Sequence, residues 1–125
     1  PISIFNNGEM SRDFTYIEDI VEGTYLCSLK APSNYNMKFR NHENVPHEIF
    51  NIGYGSSINL LEFINYLEDA LNIKAIKVFE PIQKGDVVKT YANIKKLKDW
   101  IKFQPKVPID EGVKHFANWY LNYFS

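Results

Sequence analysis

A chain of 125 residues, 45% hydrophobic and 15% aromatic, has room for one cored domain and not for two. Fourteen basic against fifteen acidic residues leave a net charge of −1, which excludes a general polyanion binder such as a nucleic-acid coat protein. No apolar run approaches the roughly 20 residues needed for a membrane span, and the single cysteine, Cys27, permits no internal disulfide and suits a reducing cytoplasm.

Pro1 to Phe5 alternates and is β-branched, which predicts a short strand. No basic-then-apolar leader precedes it, and the chain opens at Pro1 inside that strand, so the expectation is a piece of a longer protein. Asn6-Asn7-Gly8 supplies turn chemistry, and Arg12 to Ile17 reads as a second short extended piece. From Glu18 the spacing of Ile17, Ile20, Val21, Thr24 and Cys27 is helical. Glu18, Asp19 and Glu22 favour the start of that helix through its dipole, and Pro32 ends it just past Leu29 or Lys30. Ser33 to His47 is polar, Asn-rich and aperiodic, and is read as a surface loop.

Glu48 to Ile52 is predicted as a strand, closed by Gly53-Tyr54-Gly55. Asn59 caps the next helix with Glu62 in the capping-box position, and Leu60, Phe63, Ile64, Leu67 and Leu71 form its apolar stripe. Ala75 to Phe79 alternates as another strand that stops at Pro81, ahead of a loop, Gln83 to Asp86. Asn93 can cap a short helix through Leu97 and Ile101. Pro108 suits the first turn of a last helix whose expected buried face is Val113, Phe116, Ala117, Tyr120 and Phe124. The alternation gives an α/β class with three to four short strands and about four helices. So few strands leave the layers only partly covered, as in a piece of a larger α/β protein.

Most familiar chemical motifs fail here. The glycines lie at 8, 23, 53, 55, 85 and 112, so neither a G-x-G-x-x-G nor a P-loop can be written. Gly53-Tyr54-Gly55 follows a strand and precedes a helix, but Ile58 stands where a third glycine would be, so it reads as a turn that needs a positive φ. His42 and His47 are five apart with Pro46 between, and His115 sits among polar neighbours, so no metal site is expected. Cys27 reads as a core thiol. Tyr91 and Lys95 spell Y-x-x-x-K but straddle the helix start at Asn93, so the pair is read as coincidence. Two candidates survive. Arg12 at a strand start could present its fork of donors to a diphosphate, or simply pair with Asp13. Asp86 on its tight loop could accept two hydrogen bonds from a ribose diol, or merely close an Asx-type turn.

In order, Ile2-Ser3-Ile4-Phe5, the run Gly8-Glu9-Met10-Ser11-Arg12-Asp13-Phe14-Thr15-Tyr16-Ile17-Glu18-Asp19-Ile20-Val21-Glu22-Gly23, Phe50-Asn51-Ile52-Gly53, Pro81 to Val87, Thr90 to Asn93, Glu111-Gly112-Val113 and Trp119-Tyr120 resemble one family. This is the C-terminal, substrate-binding portion of extended short-chain dehydrogenase/reductases, with a Rossmann-like fold. Within it the chain is most similar to UDP-glucuronate 4-epimerases of the capsular-polysaccharide type. The resemblance spans nearly all of the chain and is weakest from Ser33 to His47.

What this implies is an expectation for each matched residue. Ser3, Ile4 and Phe5 would line a uracil pocket, Arg12 would contact the diphosphate and Asp86 would hold the ribose hydroxyls of a UDP-sugar. Gln83 stands where UDP-galactose 4-epimerases carry a second phosphate-binding Arg, Asn93 replaces a usual Asp cap, and Lys102 replaces a helix-ending Gly. The family's NAD loop and its catalytic Ser/Thr, Tyr and Lys would lie upstream of the position matching Pro1. Residues 1–125 would then be a single substrate-binding portion with no catalytic, cofactor-binding or metal-binding residue, inactive alone because hydride transfer needs the NAD of the parent enzyme. Its partners would be a UDP-sugar and the N-terminal Rossmann domain, with no membrane or nucleic acid, and a homo-oligomer could form through exposed apolar surface. Two other readings stand beside this one. The first is an interaction module that uses the aromatic tail Phe116, Trp119, Tyr120, Tyr123 and Phe124 without binding nucleotide. The second is the same portion of a UDP-galactose 4-epimerase or a nucleotide-sugar 4,6-dehydratase.

Overall fold

The computed structural model describes residues 1–32 and 48–124. In chain order these form β1 (Ile2–Phe5), a 3-10 turn (Asn6–Gly8), β2 (Ser11–Arg12), α1 (Ile17–Leu29), β3 (Ile58–Asn59), α2 (Leu60–Leu71), β4 (Lys77–Glu80), α3 (Lys95–Ile101) and α4 (Ile109–Phe124). The α/β class and the helix count are as expected. The surface loop read from Ser33 to His47 lies outside the described residues, as do His42 and His47.

β1 and β4 pair in parallel, from Ile2 opposite Lys77 to Phe5 opposite Glu80. Parallel strands need a long connection between them, and here it carries α1 and α2. Ile4 lies in the core at 1% exposure, while Ile2, on the same face one pleat earlier, lies at the margin of the core at 41%. Asn6 and Asn7 then take positive φ, 49° and 51°, which asparagine tolerates better than most residues, and the chain turns back. The two chains stay side by side past the sheet: the Ser11 N–H donates to Val88 O (2.9 Å), and the Thr90 N–H donates to Ser11 O (3.1 Å). β2 also pairs antiparallel with β3.

Two predicted strands change. The extended piece predicted from Arg12 to Ile17 is a strand only at Ser11–Arg12, and α1 already begins at Ile17. Glu48 to Ile52 belongs to no strand, although its composition suits one. A ladder requires a neighbouring strand as well as the right side chains, and among the described residues none runs beside it.

The predicted burial of two helices also changes. On α1 the residues turned fully inward are Asp19 and Gly23, while Ile17 and Val21 are exposed and Cys27 is half-buried rather than in the core. The cause is the segment after α3. Asp19 accepts the N–H groups of Lys106 and Val107 at 3.0 Å each, and Gly23 lets the buried Phe103 ring approach. On α4, Gly112, Val113 and Ala117 are buried, whereas Phe116, Tyr120 and Phe124 are exposed. α4 packs on α2, and its Gly112 admits the Tyr16 ring at close range. The aromatic residues instead stack along the outside, Phe116 on Trp119 and Trp119 on Tyr123.

Helix ends follow the sequence closely. Asn59 caps α2 by accepting the Leu61 N–H (2.8 Å), while Glu62 accepts the Tyr66 hydroxyl rather than closing a capping box. Asn93 accepts the Lys95 N–H (3.1 Å) at the start of α3. Lys102 ends α3 in the left-handed region at φ 57°, where the expected glycine would be unstrained.

α2 and β4 are joined by Glu68, which is 5% exposed. Its carboxylate accepts from Lys77 Nζ (2.5 Å), from the Ala75 N–H (3.0 Å) and from Lys74 Nζ (3.1 Å). Foremost the Lys77 bond, then those of Ala75 and Lys74, hold its pKa down to about 2 against 4.5 for a free glutamate. The unfolded chain therefore binds more protons than the folded one in this window. The stabilisation is fully present above about pH 4.5 and is lost as the pH falls toward about 2. In urea unfolding measured from pH 7 to pH 2, Glu68→Gln should be less stable than the parent at pH 7, with the gap closing below pH 4.5. A gap of constant size would refute this role.

Candidate functional site

The segments that follow β1 and β4 leave the carboxyl ends of two parallel strands, the place where ligand crevices form in α/β folds. Arg12 and Asp86, 74 residues apart in sequence, meet there. Arg12 Nη2 donates to Asp86 Oδ1 at 2.8 Å, and the two side chains are 22% and 30% exposed. Arg12 Nη1 also donates to the carbonyls of Ser11 (2.9 Å) and Val88 (3.2 Å), and the Val87 N–H donates to Asp86 Oδ1 (2.8 Å). The guanidinium is thus held on three sides while part of it stays open to solvent. A fork of donors held in this way suits a planar or tetrahedral anion.

Asp13 does not pair with Arg12. Its carboxylate turns the other way and accepts three backbone N–H groups: Tyr54 (3.0 Å) and Gly55 (3.1 Å) from the glycine turn, and Ala92 (2.9 Å). Thr15 Oγ1 accepts the Tyr54 N–H as well (3.1 Å), and Thr90 Oγ1 accepts the Asp13 N–H (3.0 Å). At Gly53 a Cβ would lie 2.4 Å from Ala92 Cβ, so only glycine permits this approach. The Gly53-Tyr54-Gly55 turn is therefore a cradle for this chain's own carboxylate, and the N–H groups that might have met a phosphate are already engaged. Phe14 stacks on Phe63 at 4.1 Å, and Tyr16 packs over Gly112. Every residue of the Arg12 to Tyr16 run thus ties the chain to a segment distant in sequence, Asp13 and Thr15 sharing the glycine turn.

No family model matches the chain. It is similar to Protein CapI of Staphylococcus aureus, 37% identical over 130 residues that cover 99% of this chain and 39% of that protein. It is also 38% identical to UDP-glucuronate 4-epimerase of Thermodesulfobacterium geofontis over 120 residues, covering 95% of this chain and 33% of that one. The crystal structure of UDP-glucuronic acid 4-epimerase from Bacillus cereus in complex with UDP-glucuronic acid and NAD superposes with a TM-score of 0.78, at 27% identity. That superposition covers 99% of this chain and 36% of the other. The chain has the sequence and fold of the C-terminal portion of an extended short-chain dehydrogenase/reductase. It spans between a third and two fifths of the length of these curated relatives.

Within this extended dehydrogenase/reductase frame, the residues singled out in the sequence are placed as follows. Arg12 and Asp86 are brought together. Ser3 is exposed and donates its hydroxyl to Glu80 Oε1 (2.6 Å), Ile4 buries its side chain, and Phe5 is half-buried. Ile4 therefore supports the strand, with its side chain in the core and its N–H and C=O toward β4. Tyr91 lies in coil and is 64% exposed, while Lys95 opens α3 and pairs with Asp99 (2.5 Å), so the Y-x-x-x-K spelling has no catalytic geometry. Among the described residues no group of three or more His, Cys, Asp or Glu side chains is placed to hold a metal, and no helix is long and apolar enough to cross a membrane. His115 faces Glu111 (3.9 Å) and the edge of Tyr16.

Sequence reasoning missed Asp13, Asp19 and Thr90 as residues that shape the site. Their partners are backbone amides 41 to 88 residues away, which leave no side-chain pattern to read. Removing Asp13 strands the Gly55 and Ala92 amides, since Tyr54 keeps Thr15 Oγ1, and each costs about 1–3 kcal/mol when left unpaired. Asp13→Ala should therefore lower unfolding stability by at least about 2 kcal/mol in a denaturant titration. A loss below about 1 kcal/mol would mean that water replaces the carboxylate.

Proposed function

We propose that this chain is the UDP-sugar recognition portion of an NAD-dependent UDP-glucuronate 4-epimerase serving capsular or other surface-polysaccharide synthesis. The observation that carries the reading is the Arg12–Asp86 pair at the carboxyl ends of β1 and β4. The similarity to CapI and to UDP-glucuronate 4-epimerases supports the choice of sugar.

In this reading Arg12 turns its open donors to the diphosphate, and Asp86 exchanges its bond with Arg12 for two ribose hydroxyls. The Ile2 N–H donates to Ile76 O, so Ile2 and Ile4 face β4 and the outer edge of β1 presents the N–H and C=O of Ser3 and the N–H of Phe5. An edge with alternating donor and acceptor matches the imide edge of uracil. The buried Ile4 side chain anchors the strand that carries it.

Bound NAD supplies hydride acceptance and return in such epimerases. The residues of this chain do not fit that cofactor. It has no G-x-G-x-x-G, and its one glycine turn between a strand-like segment and a helix is occupied by Asp13. Residues 1–125 are accordingly read as a single substrate-binding portion, with the Rossmann domain and the catalytic groups supplied outside it.

The exposed rows Ile17, Val21, Tyr25 and Leu29 on α1 and Phe116, Trp119 and Tyr123 on α4 are consistent with faces that meet that domain or a second copy.

Calorimetric titration with UDP tests the site. The parent chain should bind UDP, and Arg12→Ala should weaken it by about 1.5–3 kcal/mol, or roughly 10- to 100-fold, the worth of a charge-assisted contact. Equal affinity in the variant would remove the site. Incubation of the same chain with NAD and UDP-glucuronate should give no UDP-galacturonate. Turnover would overturn the assignment of catalysis to residues outside it.

A further inference from the structure

The Arg12–Asp86 pair is electrically neutral as it stands, because one guanidinium faces one carboxylate at 2.8 Å. A diphosphate brings at least two negative charges to that spot. Among the described residues only three lysines, Lys84, Lys89 and Lys102, have no hydrogen-bond or ion-pair partner. Lys102 ends α3. The other two flank the pair.

Their placements differ. Lys84 occupies the corner of a tight turn from Gln83 to Asp86, closed by the Asp86 N–H donating to Gln83 O (3.2 Å), with Gly85 at φ 86°. A Cβ on Gly85 would meet nothing within 4 Å, so the glycine is required by the backbone and not by a neighbour. The turn therefore holds Lys84 and Asp86 in one fixed relation, with α-carbons at most about 7 Å apart. Lys89, by contrast, is bridged to Ser11. Side chains alternate along an extended segment, so Lys89 shares the face of Ser11 and lies opposite Arg12.

We propose that Lys84 is a second cation of the anion site, meeting the diphosphate that Arg12 binds and setting the preference for charged over uncharged nucleosides. This rests on the reading of Arg12 and Asp86 as a nucleotide diphosphate site. The ammonium group sits on a flexible four-carbon stem and is free, so it can reach a bound phosphate without breaking an existing contact. Even when Asp86 turns to the ribose its carboxylate stays close to Arg12 and offsets the guanidinium's charge, and Lys84 supplies a positive charge beyond that neutral pair.

The test is calorimetric titration of the 125-residue chain with UDP and with uridine, at low and at raised salt, for Lys84→Ala, Lys84→Arg, Lys89→Ala and Arg12→Ala. Lys84→Ala should weaken UDP about fivefold, the scale of a half-exposed charge pair, leave uridine unchanged, and reduce the salt dependence of UDP binding. Lys84→Arg should restore UDP affinity. Lys89→Ala, which removes the same charge from the other face, should change UDP affinity less than twofold. UDP affinity within twofold of the parent in Lys84→Ala, or an equal loss in Lys89→Ala, overturns the proposal while the Arg12 effect stands. If Arg12→Ala binds UDP as well as the parent, or the parent binds none, the nucleotide reading fails and this inference falls with it.

Discussion

The Asp13 carboxylate is the interaction on which the rest of this molecule depends. It gathers the N–H groups of Tyr54, Gly55 and Ala92 onto two oxygens, joining three segments that no sheet connects. Among the described residues the sheets are small, two strands each, and could not position the loops alone. A carboxylate that accepts several amides satisfies groups which would otherwise be costly to bury. Asp19 repeats the device six residues later, with Lys106 and Val107. Together they explain why so few regular hydrogen-bonded ladders suffice.

The same clamp prepares the site. With Asp13 turned toward the glycine turn, its neighbour Arg12 is left to face the other side of the chain, where Asp86 waits at the end of the Gln83 to Asp86 turn. Adjacent residues of opposite charge would otherwise tend to satisfy one another. Here one carboxylate is consumed by structure, and the guanidinium pairs instead with Asp86 across the chain. Arg12 to Tyr16 is therefore a folding motif whose first side chain stays beside Asp86 and partly open to solvent.

The apolar surface tells a different story from the core. Val113, Ala117, Ile64, Leu97 and Phe103 are buried, yet Ile17, Val21, Trp119 and Tyr123 stand more than half exposed. Periodicity located the helices but misjudged which face turns inward on α1 and α4. A hydrophobic stripe marks what could be buried, and the choice was made by Asp19, Gly23 and Gly112, whose small size or hydrogen bonds permit closer docking than the larger apolar residues would.

By itself the sequence determined the α/β class, the described helices with Asn59 and Asn93 as acceptors at the starts of two of them, the strand at Ile2–Phe5, and Arg12 and Asp86 as candidate site residues. These follow from local causes: side-chain periodicity, capping oxygens, proline and asparagine backbone preferences, and a motif dense enough to name a family. Only the tertiary structure decided that Arg12 and Asp86 touch, that Asp13 belongs to the glycine turn, that Glu48 to Ile52 has no ladder partner among the described residues and that the aromatic row of α4 faces outward. Each of these depends on which distant backbone group lies within hydrogen-bonding reach. Backbone groups are the same at every residue, so no pattern of side chains records where they will meet.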